Sequence, residues 1–324
     1  MNKQIRLLTF ICTLFTSTAG SAESVWNVLI ENDLFTGTDR HYTSGVALNY
    51  VSGVNDGPKR LENLGVRFPG IDRDDNIHVA VSLGHEIYTP TDIRSPELLP
   101  DDRPYAAHAY LAAGFSTANH KEIETWRIAV GIVGPNAKGE RIQNTVHKAV
   151  GSDDALGWQH QLDDEWLFSV AYEKKWLNRA WHSPDAWAVE MDFIPAISGA
   201  LGTPHTYVGL GGMLRFGQGL RDDQGPPKIR PSLPLSQYYD GSNAWYFFLG
   251  LEGRYVAHNL FLDGNNFVDS HAVDRNDFVA DLQAGFVWNT RHFRLGYTYV
   301  IRSREFVQQD DKDVYGSLTL SLHF

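Results

Sequence analysis

The segment VYGSLTLSLHF, residues 314–324, ends the chain and decides its fold. Apolar or small residues occupy the even positions from Val314 to Phe324, and mostly polar residues occupy the odd positions from Tyr315 to His323. Because successive side chains of a β-strand point to opposite faces, this period of two predicts a strand that continues to the last residue. One face of that strand is apolar and the other is polar.

The same alternation recurs along the rest of the chain. About twelve segments show it, each close to the roughly 9–11 residues that a tilted membrane strand needs, and an even number suits a closed barrel made by one chain. A terminal phenylalanine resembles the assembly signal of bacterial outer-membrane barrels. We therefore predict an all-β protein, an antiparallel transmembrane β-barrel of about twelve strands. The predicted strands are 25–33, 42–51, 78–90, 105–117, 124–134, 166–177, 186–197, 204–216, 244–257, 277–289, 292–304 and 314–324.

The N-terminus has the composition of a secretory signal peptide. Two cationic residues precede the apolar run 7–15, and small residues follow up to Ala22. The run is too short to span a bilayer, so we expect residues 1–22 to be a removed signal peptide and residues 23–324 to be one barrel domain. The only cysteine, Cys12, lies in the removed segment, which excludes disulfides and thiolate sites from the mature chain.

The charge balance narrows the class of partner. The chain carries 28 basic and 39 acidic residues, a formal net charge of −11. The signal peptide removes two of the basic residues, so the mature chain is more negative still. This balance argues against nucleic acid and suits cations. We expect a monomer in the Gram-negative outer membrane.

Strand parity predicts where the polar loops lie. With both termini in the periplasm, each connection after an odd-numbered strand is extracellular. The loops after strands 1, 3 and 5 carry or flank residues 32–33, 92–103 and 140–161. The same count makes 52–77 and 217–243 unusually long periplasmic connections, where short turns are the rule.

A helix is predicted within the third of these loops. After a Gly/Pro/Asn turn, apolar residues recur at helical spacing from Glu140 onward, which indicates a short amphipathic helix in an extracellular loop. Gln143 and His147 are four residues apart and share another face, with Asp153 six residues further on. The apolar residues are Ile142, Val146 and Val150.

These three polar residues have two interpretations. A histidine titrates near neutral pH, and a carboxylate that holds its second nitrogen fixes the tautomer, so Gln143, His147 and Asp153 suit a general base. The chain contains 13 histidines, however, and a solvated loop histidine is the ordinary alternative.

Hard oxygen donors cluster between the first two strands. Asn32 and Asp33 end the first strand, and Thr43 lies near the start of the second. Carboxylate, amide and hydroxyl oxygens suit Ca²⁺, which accepts irregular oxygen sets. The alternative is a hairpin whose Asn and Asp side chains hydrogen-bond the turn backbone.

With both groups identified, the chain resembles the lipid A 3′-O-deacylase family of outer-membrane barrels. The matching residues extend from the mature N-terminus to the terminal phenylalanine, although the second half matches mainly as a barrel pattern. They are Asn32-Asp33 with Asp39, Tyr42-Thr43 and Gly45; Ile87 to Pro90; Asp102 to Ala106; and Val130 to Pro135 leading into Gln143, His147, Gly151, Asp153, Trp158 and Gln161.

The resemblance implies a calcium-dependent esterase that removes the 3′-linked acyloxyacyl group of lipid A at the extracellular rim. His147 matches the family's proposed base, and Gln143 and Asp153 match its neighbours. Asn32, Asp33 and Thr43 match the rest of the site, with Asn32, Asp33 and Asp153 as expected calcium ligands.

The chain departs from the family at a lysine proposed to stabilise the oxyanion. No lysine lies between Lys59 and Lys121. The expected replacement is Arg94 or Arg103, and the Arg103 stretch has a structural corner as its alternative role.

The chemistry is consistent with water attack. His147 would remove a proton from water while calcium polarises the ester carbonyl. No serine lies in a Gly-x-Ser-x-Gly elbow, so an acyl-enzyme has little support. Two other functions stay open: an outer-membrane phospholipase, and a porin-like barrel in which Glu252, Arg254 and Arg294 line a polar lumen.

Overall fold

The computed structural model describes residues 24–33, 41–72, 75–119, 121–182, 189–220, 223, 225 and 243–324. The predicted signal peptide, residues 1–22, lies outside these residues.

In the described part of the chain, 13 antiparallel strands form one sheet, and twelve of them close into a barrel. The ring closes where β1 pairs with β13 and where β6 pairs with β8, while the short β7 pairs only with β8. The predicted twelve-stranded barrel is confirmed, and β7 is an addition to it. The strands are β1 (Val25–Asn32), β2 (His41–Val51), β3 (Ile77–Thr89), β4 (Ala106–Ala118), β5 (Glu122–Val133), β6 (Glu165–Trp176), β7 (Asn178–His182), β8 (Glu190–Gly202), β9 (His205–Gln218), β10 (Ala244–Asn259), β11 (Phe278–Asn289), β12 (Phe293–Arg302) and β13 (Asp313–His323).

Alternate side chains of each strand form an apolar belt on the outside of the barrel. Large residues of this belt are strongly exposed, among them Leu210 on β9 at 68%, Leu251 on β10 at 61% and Phe278 on β11 at 75%. An exposed belt of this size suits contact with lipid rather than water. Among the described residues, no helix is long and apolar enough to cross a membrane.

Buried ion pairs line the lumen at two levels. One lies at the terminal end of the barrel, which we define by Val25 and His323, and the other lies nearer the opposite end. Arg215 and Arg294 both pair with Asp223 at the terminal end. At the other level, Arg254 and Arg302 both pair with Asp281. Since removing one partner of such a pair leaves a buried charge, these clusters fix the barrel's interior.

Within the described ranges, three helices accompany the strands: α1 (Lys59–Gly65), α2 (Gly139–Val150) and α3 (Leu260–Asp263). Short 3₁₀ turns cover Pro135–Ala137 and Trp158–His160. The helix predicted to begin near Glu140 is therefore confirmed as α2.

The long connection between β2 and β3 folds back against the outside of the barrel. Phe68, which follows α1, stacks on Phe115 of β4 and Trp126 of β5, with ring centroids 5.5 and 5.2 Å apart. Gly65 of α1 also lies against the Phe115 ring, because a Cβ atom built on it would lie 2.9 Å from that ring. The predicted connection of residues 52–77 is thus long because it covers part of the outer wall.

Candidate functional site

Helix α2 and the residues around it cover the outer wall at the opposite end of the barrel. Gly139 opens the helix directly on β4, because a Cβ atom built there would lie 2.5 Å from the Cβ of Ala107 and 2.4 Å from the Trp158 ring. The His85 ring on β3 donates from Nε2 to the main-chain oxygen of Ala137 at 2.8 Å. Both His85 and Ala107 point away from the lumen, so α2 lies outside the barrel.

The faces of α2 are reversed relative to those of a helix in a water-soluble protein. Ile142, Val146 and Val150 are 40%, 45% and 60% exposed, whereas Gln143 and His147 are only 3% and 2% exposed. Burying polar side chains is costly unless they are hydrogen-bonded. The arrangement suits a helix that faces lipid on one side and holds a polar site against the barrel on the other.

The end of α2 determines how His147 is oriented. Gly151 adopts a left-handed conformation with φ of 82° and donates its N–H to the His147 oxygen at 2.8 Å, which ends the helix. The chain then turns back, where Asn144 Oδ1 accepts from the Ala155 N–H at 2.9 Å. In this turn, the Asp153 main-chain oxygen lies 2.5 Å from His147 Nδ1. A carbonyl only accepts, so Nδ1 carries the proton and Nε2 is the basic nitrogen.

This contact differs from the one predicted from the sequence. The partner of His147 is the main-chain carbonyl of Asp153, not its carboxylate. The Asp153 side chain is 73% exposed and points to Arg94, with Oδ2 3.9 Å from Nη1. The turn after Gly151 brings the backbone to the imidazole and directs the side chain outward.

Gln143 is held by an aromatic residue whose role the sequence did not reveal. The Trp158 indole donates from Nε1 to Gln143 Oε1 at 2.9 Å. An indole N–H only donates, so this bond fixes which end of the amide is oxygen. Within the described residues, the Gln143 Nε2 atom is buried and has no hydrogen-bond partner. The amide therefore presents an oriented donor.

The oxygen-rich residues lie at the same end of the barrel and on the same outer face. Asn32 ends β1 opposite Ser44 of β2, and the register shifts between Tyr42 and Ser44, leaving Thr43 as an extra residue. Such a bulge redirects a side chain. Thr43 Oγ1 lies 2.7 Å from Oγ1 of Thr89, the last residue of β3. The wall that carries α2 thus continues to Thr43 and Asn32.

The donor set at this rim suits a hard cation. Asp33 is 2% exposed and follows Asn32 directly in the chain, so a carboxylate and an amide are both supplied where β1 ends. Of the residues that the structure describes, no three His, Cys, Asp or Glu side chains converge on one metal position. Asn32, Asp33 and Thr43 carry amide, carboxylate and hydroxyl oxygens, which Ca²⁺ accepts and Zn²⁺ does not favour.

The two arginines lie in different places. Arg103 is 1% exposed, its guanidinium covers the Tyr88 ring at 4.7 Å, and Nη1 is 3.4 Å from Glu305 Oε2. These partners lie on the lumen side, so Arg103 is a structural residue and does not face the site. Arg94 is beside Asp153 on the outer face, and of the two it is the arginine available to a ligand there.

The sequence and the fold are similar to those of known outer-membrane proteins. A family described as "Outer membrane protein LpxR" matches residues 7–324. LpxR from Salmonella typhimurium is 20% identical, with a TM-score of 0.73 over 93% of this chain and 100% of that chain. The β-domain of the Bordetella autotransporter BrkA is 10% identical over 94% of this chain and 99% of that one, with a TM-score of 0.40. Among curated proteins, none matches the sequence.

Proposed function

The chain belongs to the LpxR family of outer-membrane proteins, and we propose that it is a carboxylic ester hydrolase that removes the 3′-linked acyloxyacyl group of lipid A. The observation that carries this proposal is the reversed helix α2. It holds His147 and Gln143 against the outer wall, where a lipid of the membrane reaches them and a solute in the lumen does not. We take the terminal end of the barrel to be periplasmic, which puts α2 in the outer leaflet, where lipid A lies.

His147 is the proposed general base. The Asp153 carbonyl holds the Nδ1 proton, so Nε2 accepts a proton from water as the oxygen of that water attacks the ester carbonyl. When the tetrahedral intermediate breaks down, the same nitrogen returns the proton to the sugar oxygen that leaves. The products are a free carboxylic acid and the 3′-hydroxyl of the sugar, and no covalent enzyme intermediate forms.

Gln143 is the proposed donor for the developing oxyanion. Trp158 holds its oxygen, so the Nε2 hydrogens are directed away from the indole. A donor that is oriented before the reaction stabilises negative charge without reorganisation in the transition state. Arg94 adds positive charge at the same face from its position beside Asp153.

Calcium is part of the proposal. Asp33 and Asn32 would hold the ion, with Thr43 nearby on the adjacent strand. When bound, the ion would act as a Lewis acid on the ester carbonyl. Asp153 is the weakest of the expected ligands, because its carboxylate is exposed and turned toward Arg94.

Two alternative functions differ from the proposed one: a phospholipase differs in its substrate, and a porin differs in having an open lumen. A phospholipase would use the same histidine at the same face, and only the identity of the released lipid distinguishes it. Phe261 of α3 is fully buried between Tyr88 of β3 and His205 of β9, which blocks part of the lumen and disfavours an open porin.

Mass spectrometry of lipid A tests the proposal. A Gram-negative host would express the intact protein, a folded His147→Ala variant or an empty vector. We expect loss of the acyloxyacyl unit from lipid A with the intact protein alone. Unchanged lipid A in the presence of calcium and a correctly inserted barrel would reject the proposed function, and released phospholipid fatty acid would select the phospholipase.

A further inference from the structure

The outer wall of β3 to β6 carries an uncovered apolar strip between two covered ones. Outward side chains on neighbouring strands lie opposite each other in the hydrogen-bonding register, so they form rows across the wall. Two adjacent rows are largely open, although Ala113 and Ile128 of the second row also pack in part against the cluster around Phe115. One contains Leu83, Leu111, Val130 and Phe168, and the other contains Val81, Ala113, Ile128, Val170 and Leu201 of β8.

The open rows are bounded on both sides. On the side toward the opposite end of the barrel, Ala109 and Ile132 pack against the cluster beneath α2, which includes Ala107 and Trp158. On the side toward the terminal end, Phe115 is fully buried beneath the segment that follows α1. The uncovered strip is therefore a channel with α2 along one edge and α1 along the other.

The channel is an open apolar groove in the outer wall. Its volume is about 620 Å³, and its lining contains no charged side chain. Ala113 makes part of its floor, where the small side chain leaves space, and Leu61 of α1 closes it toward the terminal end. Its chemistry suits a hydrocarbon chain.

We propose that this channel holds the acyl chain of the ester cleaved at His147, and that α1 sets how long a chain fits. This inference rests on the proposed function and adds a chain-length limit to it. The rows beneath α2 and beneath the α1 segment are six residues apart along β4, from Ala109 to Phe115. At about 3.3 Å per residue they are roughly 20 Å apart. An ester bound beside α2 therefore has its chain directed along the wall toward Leu61.

Bulk membrane lipid could also occupy the channel. The free energy of transfer distinguishes a bound substrate chain from membrane lipid. Lipid tails are as apolar as the channel, so a substrate chain gains little hydrophobic free energy on entering it. Selectivity must come from shape, since a chain that meets Leu61 has to bend or leave the channel. We therefore expect the channel to affect which acyl-chain lengths are cleaved. The proposal does not require it to change the overall affinity for the lipid substrate.

The test compares chain-length profiles of purified full-length barrels in detergent micelles with calcium. The substrate is lipid A carrying 3′-linked chains of mixed length, and released acids are measured by mass spectrometry. Ala113→Leu should lower cleavage of the longest chains relative to the shortest by about fivefold, less than a closed aqueous pocket would give. Ala284→Leu is the matched control, because Ala284 is an exposed outward residue on β11, and its profile should equal that of the unaltered protein.

A second pair of variants moves the end of the channel. Leu61→Ala should extend cleavage to longer chains, and Leu61→Trp should restrict it to shorter ones. Folding is checked by the shift in gel mobility between boiled and unboiled samples, and either pair suffices if one variant fails to fold. An active unaltered protein with unchanged profiles in the folded variants would mean that the channel does not hold the cleaved chain and would overturn this inference alone. An inactive unaltered protein would overturn the proposed function as well.

Discussion

Helices α1 and α2 lie on the same outer wall, toward opposite ends of it, and they bury opposite kinds of residue. In α1, Leu61 and Leu64 pack with the cluster around Phe115. In α2, the buried residues are polar, Gln143 and His147, and the apolar side chains are exposed. The difference indicates that α1 packs on the wall, whereas α2 buries two polar side chains that a packing role does not require.

Burying the polar face of α2 costs free energy unless its side chains are hydrogen-bonded, which explains why residues outside the helix bond to them. His147 has the Asp153 carbonyl, and Gln143 has the Trp158 indole. A buried polar group without such a partner costs about 1–3 kcal/mol. A helix that only covered the wall would avoid this cost with apolar residues, as α1 does.

The largest effect that separates the two helices is expected from His147→Ala. Loss of a general base lowers the hydrolysis rate by about 10²–10⁴-fold, and the barrel should still fold because the side chain lies outside the lumen. Release of acyl chains from lipid A by purified protein measures the rate. The control is His292→Ala, an exposed histidine at the terminal end, whose rate should be unchanged. A His147→Ala variant with full activity would place the base elsewhere.

The next effect is expected from the pair that orients the oxyanion donor. Gln143→Met keeps the approximate volume and removes the donor, which should lower the rate by about 10²-fold. Trp158→Phe removes the hydrogen bond to Gln143 Oε1 together with part of a buried ring; loss of the bond is worth about 1 kcal/mol or roughly fivefold in rate. The rate is measured on the same lipid substrate.

A double variant distinguishes orientation from packing. If Trp158 acts through Gln143, then Trp158→Phe should have no further effect on the rate in the Gln143→Met background. Full additivity of the two changes would instead show that Trp158 contributes through its packing on Tyr105, whose ring centroid lies 5.0 Å away.

A smaller effect, on the stability of the barrel, is expected when an apolar residue is replaced by serine in each helix. Leu64→Ser in α1 should destabilise the barrel by about 1–2 kcal/mol because it removes apolar packing. Val146→Ser in α2 should leave stability in detergent nearly unchanged, since Val146 is 45% exposed. Thermal unfolding followed by circular dichroism measures both. Equal losses of stability would mean that the exposed face of α2 packs on protein.

Sequence periodicity predicted most of the barrel and the site helix. The strand that ends at Phe324 and the helix after Gly139 were both recognisable, because periods of two and of 3.6 are visible in one sequence. Periodicity did not reveal α1, since the seven residues of that helix are too few for a clear pattern. Nor did it predict which face of α2 is buried, which depends on the lipid around the barrel.

The hydrogen-bond partner of His147 could not be predicted from the sequence either. Spacing placed Asp153 near the histidine, but a turn decides whether the backbone or the side chain makes the contact. Trp158 was recognisable as part of the family motif, and only the fold shows that it holds Gln143. Strand parity, by contrast, correctly predicted that Asn32 and Thr43 lie at the same end of the barrel as α2.

The smallest change in hydrolysis rate is expected from a substitution at Asp153. It tests whether the carbonyl or the carboxylate of this residue serves the buried face of α2. Asp153→Asn keeps the carbonyl that holds His147 and removes only an exposed ion pair with Arg94, worth about 0–1 kcal/mol. We therefore expect the hydrolysis rate to fall by no more than about threefold. The measurement is the rate at saturating and at limiting calcium. A large loss at limiting calcium that saturating calcium restores would make the Asp153 carboxylate a metal ligand. A large loss at every calcium concentration would mean that the carboxylate, rather than the carbonyl, orients His147.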